Sequence, residues 1–247
     1  MNTPIVFLHG FPFNSSSWDL QAQHYSGQRP VMTPDLRGHR HGPKGPGPWM
    51  LQDLVSDIHE LVTGSEHKKV VLCGVSMGGY IALDFVQRHP TLVQALVLVD
   101  TRADGDSNEA KDKRHAMLKK LHKEGLAPFA KDFSQKVLGE TTLKSKPQIQ
   151  GQVEAMILTN TLEDVALNVA MLASRPDAME HLSQIKCPTL ILCGDEDKVI
   201  PLEHSQKMAD KIHRSQLKVI EQAGHLPNIE QPDVFNRHLD QFLRSIN

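Results

Sequence analysis

A chain of 247 residues can bury one full hydrophobic core as a single domain and still carry an insert. Its 27 lysines and arginines nearly balance 29 aspartates and glutamates, and a formal net charge of −2 gives no reason to expect nucleic acid or an anionic membrane as partner. Three cysteines without metal spacing, no basic-then-apolar leader and no apolar run of about 18 residues lead us to expect reduced thiols, a cytoplasmic location and no membrane insertion.

From the start to about Thr101, short apolar, β-branched runs alternate with segments of helical periodicity. Strands are predicted at residues 5–8, 31–33, 70–73 and 95–99, with helices near 18–25 and over 51–62 and 77–88. That alternation implies a mostly parallel sheet with helices on both faces. The glycines and prolines of residues 42–48 mark a loop. From about Arg102 to Ile185 no strand signal occurs, and helices are predicted over 108–123, 127–137, 148–158 and 162–173. The last carries Leu162, Val165, Ala166, Val169 and Leu172 at three- and four-residue steps, with Thr161 as its N-cap and Asp164 at the capping-box position. Two strand–helix units, 189–193 with 203–212 and 217–220 with 232–244, then complete the sheet. The chain thus divides into a core of residues 1–101 and 186–247 and an all-helical insert of residues 102–185.

One motif carries chemistry. Gly74-Val75-Ser76-Met77-Gly78 fits G-x-S-x-G and stands between a buried strand and an apolar helix. A serine in so tight a turn projects its hydroxyl clear of the backbone, and side chains in place of Gly74 and Gly78 would collide there. A hydroxyl is a poor nucleophile unless a base takes its proton and a third group orients that base. Acidic candidates follow the strand at 189–193, in Gly194-Asp195-Glu196-Asp197, and Asp100 follows the strand at 95–99. Of fourteen histidines, His225 alone follows the last strand in the order a triad requires, whereas His9 reads as shaping a loop.

These features, together with His9-Gly10-Phe11, Pro34-Asp35-Leu36-Arg37-Gly38, Gly194-x-x-Asp197-x-x-x-Pro201 and Gly224-His225, resemble the α/β-hydrolase superfamily over nearly the whole chain. The text from Ala223 to Pro232 most resembles small carboxylesterases and 3-oxoadipate enol-lactonase-like members. The resemblance implies an α/β-hydrolase fold whose N-terminal edge strands are missing or shortened, with residues 102–185 as a helical cap. It makes Ser76 the nucleophile, Asp197 the acid and His225 the base, with Asp100 as the rival acid. The backbone N–H groups of Met77 and Phe11 become the oxyanion donors. Met117, Phe129, Met156 and Met171 are cap residues of which some line the pocket and others pack the core.

The implied reaction is hydrolysis of a small or medium ester through an acyl-enzyme, with no metal or organic cofactor. A lactonase of the enol-lactone type or a carbon–carbon bond hydrolase would use the same triad. A ligand receptor with a mobile cap is a remote, non-enzymatic alternative. The partner is a small-molecule ester or lactone, and the chain would act as a monomer or homodimer.

Overall fold

Four consecutive buried apolar residues make β1 (Ile5–Leu8) a strand covered on both faces, as the inner strands of a parallel sheet must be. In a computed structural model describing residues 3–246, it is followed by α1 (Asp19–Tyr25), β2 (Val31–Met32), α2 (Leu51–Thr63), β3 (Val70–Val75), α3 (Met77–Arg88) and β4 (Val93–Val99). Five helices come next: α4 (Asn108–Glu124), α5 (Leu126–Val137), α6 (Glu140–Ser145), α7 (Gln148–Leu158) and α8 (Leu162–Ser174). The chain closes with β5 (Thr189–Gly194), α9 (Leu202–Lys211), β6 (Ser215–Ile220), α10 (Pro227–Glu230) and α11 (Pro232–Ser245). No single described helix is long and apolar enough to cross a membrane; α7 and α8 reach that composition only as a pair bent by 95°.

The strands form one sheet in the order β2-β1-β3-β4-β5-β6, and every pairing is parallel. A parallel pair needs a crossover, and crossovers are right-handed. The chain steps outward from β1 to β2, then returns past β1 to β3 and keeps that direction to β6. The change of direction sends α1 to one face and α2 and α3 to the other. Accordingly α1 packs with α11, and α2 with α3. The loops leaving β1 and β3 therefore diverge at the carboxyl edge of the sheet, the place where open α/β sheets form their ligand crevice. No described strand precedes β1; β2, of two residues, forms one edge of the sheet and β6 the other.

The core follows from amphipathic spacing. Helix α11 buries Phe235, Leu239, Phe242 and Leu243, one face of a helix, each contributing about 1.5–3 kcal/mol. Trp18 joins that face to the sheet, its ring 4.8 Å from Phe7 and 5.8 Å from Phe235. Helix α3 is buried from Met77 through Val86, which holds the turn before it rigid.

Several boundaries differ from the sequence expectation. Strand β2 ends one residue early, and β4 and β6 start two residues early. Helices α6 and α10 were not foreseen: the first has no apolar period and the second is a single proline-started turn. Thr161 does cap α8, accepting from the Asp164 amide at 3.1 Å, but Asp164 closes no capping box. Its carboxylate instead takes the Lys44 ammonium at 3.0 Å and fastens α8 to the loop after β2.

Two buried histidines tie the loops at the carboxyl edge. His9 Nδ1 faces the Gly10 carbonyl at 3.0 Å, and His9 Nε2 accepts the Leu36 amide at 2.9 Å, which fixes the neutral Nδ1–H tautomer. His39 Nδ1 donates to Arg37 O, and its Nε2 is buried without a hydrogen-bond partner among the described residues. Burial, with repulsion between the two rings, lowers the pKa of His9 to about 3, and burial lowers that of His39 to about 4. Both lie below the ordinary 6.5, so the unfolded chain takes up protons that the folded chain refuses. Stability from each is complete above 6.5 and is lost as pH falls toward its folded value, by about 1.4 kcal/mol per pH unit per histidine. Urea midpoints between pH 7.5 and 5 should therefore fall more steeply for wild type than for His39→Phe; parallel slopes would contradict the assignment.

Candidate active site

Ser76 joins β3 to α3 at φ 52, ψ −113, a left-handed conformation that costs a non-glycine residue about 1–3 kcal/mol. The flanking glycines are required by close approach. A Cβ on Gly74 would lie 2.2 Å from the Gly78 carbonyl oxygen, and one on Gly78 would lie 2.2 Å from Leu8 O. The turn is anchored on both sides: Ser76 N donates to Val99 O at 2.9 Å, and Thr101 Oγ1 donates to Ser76 O at 2.8 Å. What the hinge presents at the carboxyl edge is the serine side chain.

His225 follows β6, and its Nδ1 lies 2.7 Å from Asp197 Oδ2. The other Asp197 oxygen accepts the amides of Val199 at 2.7 Å and Ile200 at 3.1 Å. Burial opposes charge on this carboxyl, but the His225 ring and those amides outweigh it and hold its pKa below the usual carboxylate range. Asp197 thus stays charged against the imidazole and fixes its Nδ1–H tautomer. Ser76 and His225 line one cavity of about 300 Å³. No hydrogen bond joins the Ser76 hydroxyl to His225 among the described residues, and such contacts commonly tighten only when substrate arrives.

The rival acid is close by but occupied differently. Asp100, at φ 39, is fully buried and accepts Gly194 N at 2.9 Å through Oδ1, while its Oδ2 has no hydrogen-bonded partner among the described residues. Burial, then the Asp197 charge, pushes its pKa well above the ordinary value, so of the two carboxyls Asp197 carries the charge. Ligand atoms of Asp100, Asp197 and His225 lie within 4.8 Å of one another, the one set among the described residues close enough to share a metal ion. The hydrogen bonds just given already employ Nδ1 of His225 and both oxygens of Asp197.

Phe11, in the loop after β1, and Met77, first residue of α3, line the same cavity. Neither backbone N–H has an acceptor among the described residues. Gly10 brings their loops together, since a Cβ there would touch that of Ser76 at 3.3 Å. The four cap residues named from the sequence separate in space. Met117 lines the cavity with Ser76, Phe129 stacks behind Phe133, Met156 faces another cleft, and Met171 is core.

The sequence reading missed the residues that hold the histidine loop. Glu230 is fully buried; one oxygen accepts Gly139 N at 2.8 Å, the other Gly224 N at 2.9 Å and Leu226 N at 3.1 Å. His225 N donates to Val137 O at 2.8 Å, and a Cβ on Gly224 would lie 2.3 Å from Gly139 N. The end of α5 is thereby pressed directly on the His225 turn. An acid so near the histidine in sequence was visible, but its three amide partners were not.

Residues 5–238 match the alpha/beta hydrolase family, and the chain belongs to it. The fold matches that of a thermophilic esterase from Thermogutta terrifontis, solved with malate bound, at TM-score 0.94 and 34% identity over 100% of this chain and 91% of that one. A 3-oxoadipate enol-lactonase from Acinetobacter baylyi is 24% identical over 98% of this chain and 89% of its own length. A non-heme chloroperoxidase from Kitasatospora aureofaciens is 28% identical over 97% and 92%. The protein is a hydrolase of this family.

Glu230→Gln supplies one acceptor oxygen where three amides need two. It should cost about 1–3 kcal/mol in thermal or urea unfolding and lower kcat more than it raises KM. Unchanged kcat would show that the Glu230 clamp does not position His225.

Proposed function

We propose that this protein hydrolyses a carboxylic ester of a small or medium acyl substrate, with Ser76 as nucleophile, His225 as general base and acid, and Asp197 as the orienting acid. The observation that carries the reading is the buried 2.7 Å contact of His225 Nδ1 with Asp197, facing the same cavity as a serine at a left-handed hinge. The residues now in place do the following work. His225 Nε2 takes the proton as Ser76 Oγ attacks the carbonyl carbon. The Phe11 and Met77 amides hold the oxygen that becomes negative, the second of them at the positive end of α3. The tetrahedral adduct collapses, its leaving alcohol takes the proton from His225, and an acyl-serine remains. His225 then removes a proton from water, which attacks the acyl-serine, and returns the proton to Ser76 as the acid departs.

Cys193 is no rival nucleophile: burial pushes its thiol up to about 12. Residues 102–185 act as the cap, closing water out of the acyl site, over a core of residues 1–101 and 186–247. A lactone is the second reading, supported by similarity to the enol-lactonase along almost the whole chain. For a lactone the same steps apply, with the leaving alcohol retained on the acyl group. The location is cytoplasmic on this reading, in keeping with three free cysteines.

With p-nitrophenyl esters of graded acyl length, Ser76→Ala should lose several orders of magnitude in kcat. Asp197→Asn should lose about 10⁴-fold through the wrong imidazole tautomer. Turnover that survives Ser76→Ala would contradict these roles.

A further inference from the structure

Five cationic side chains, Arg102, Lys113, Arg114, Lys136 and Lys198, line the cavity onto which Ser76 opens, together with one carboxylate, that of Asp106. The chain as a whole is slightly acidic, so this sign is local. Nor is Asp106 free to balance it. Its side chain is fully buried and already bound by Arg102, Arg114 and Arg175. Those pairs are structural, joining the segment after β4 to α4 and to the end of α8. One carboxylate cannot neutralise three guanidinium groups, and the next nearest, Asp104, meets Arg102 at 3.5 Å and is shared with His204 at 2.8 Å.

Donor capacity is left over among the side chains that line the cavity. Arg102 Nε is buried and has no hydrogen-bond partner among the described residues. Arg114 engages Asp106 through Nε, and its terminal nitrogens make no hydrogen bond among the described residues. Lys113 on α4 and Lys136 on α5 are exposed and form no ion pair among the described residues. Lys198 is spent on Glu140 at 2.6 Å. Like-signed groups along a cleft with low-dielectric walls focus an attractive field on an anion, and a guanidinium offers a carboxylate two parallel donors. A neutral ester would leave those donors unmatched.

We propose that the substrate hydrolysed at Ser76 carries a carboxylate of its own, taken up by Arg102 and Arg114 with Lys113 and Lys136 at the cavity mouth. This rests on the ester- or lactone-hydrolase reading and narrows it to small acid esters. A cavity of about 300 Å³ has room for such a molecule.

The test compares kcat/KM, by methanol release, for monomethyl glutarate and methyl pentanoate, which differ in a terminal carboxylate against a methyl group. Wild type and the double variant Lys113→Gln/Lys136→Gln, whose substituted side chains are exposed, are measured at low and high sodium chloride. The anionic ester should be preferred by at least about tenfold at low salt. The preference should shrink as salt screens it and fall about threefold or more in the double variant. Turnover of both esters without an anionic preference, or a preference indifferent to salt and to the lysines, overturns the inference and leaves the hydrolase reading standing. If neither ester is turned over while p-nitrophenyl esters are, the inference is overturned and the ester-hydrolase reading stands; if p-nitrophenyl esters are inert as well, the ester-hydrolase reading is lost and the inference falls with it.

Discussion

Everything at the carboxyl edge of this sheet depends on one backbone constraint, the left-handed conformation of Ser76 between β3 and α3. Strain of that kind persists only where the surroundings over-determine it. Here they do so by excluded volume and by hydrogen bonds. The bare α-carbons of Gly74 and Gly78 let the turn close on itself and on β1, and Val99 at the end of β4 and Thr101 two residues on grip the Ser76 peptide groups. The helix that follows is buried along nearly its whole length and cannot swing to relieve the strain. The same closeness sets the Ser76 hydroxyl at the switch point between β1 and β3, where the loops part.

Charge is distributed around that hinge with equal economy. Two carboxyls, Asp100 and Asp197, stand together behind His225, and their surroundings push them apart: two amides and an imidazole favour charge on Asp197, while deep burial and its neighbour disfavour charge on Asp100. The histidine itself is held from the helical segment, by Val137 O and by the Glu230 clamp that also holds Gly139. The helical segment and the His225 loop are therefore one hydrogen-bonded unit. A change in the packing of α5 would be felt at His225 before it was felt in the sheet.

The fold class was legible because a parallel sheet with helices on both faces leaves two periodicities in the chain, and only the short or non-periodic α6 and α10 escaped. Ser76 was legible because the physics of its hinge acts on neighbours two residues away, and His225 and Asp197 because strand ends deliver them. The resemblance favoured Asp197 over Asp100 by its spacing from Gly194, and it is Asp197 that lies within hydrogen-bond distance of the imidazole. Glu230 and the Asp106 arginine cluster were hidden for a different reason. Their partners lie 91 residues away for Gly139 and 69 for Arg175, and no local pattern encodes such a meeting. No local pattern marks Lys113 and Lys136 either, which only the fold sets at the cavity with Ser76.

Peptide mapping by mass spectrometry after reaction with a fluorophosphonate tests the central claim most directly. The account predicts a single phosphonyl adduct, on Ser76, forming far more slowly in His225→Ala. An adduct on any other residue, or labelling of Ser76 that ignores His225, would contradict it.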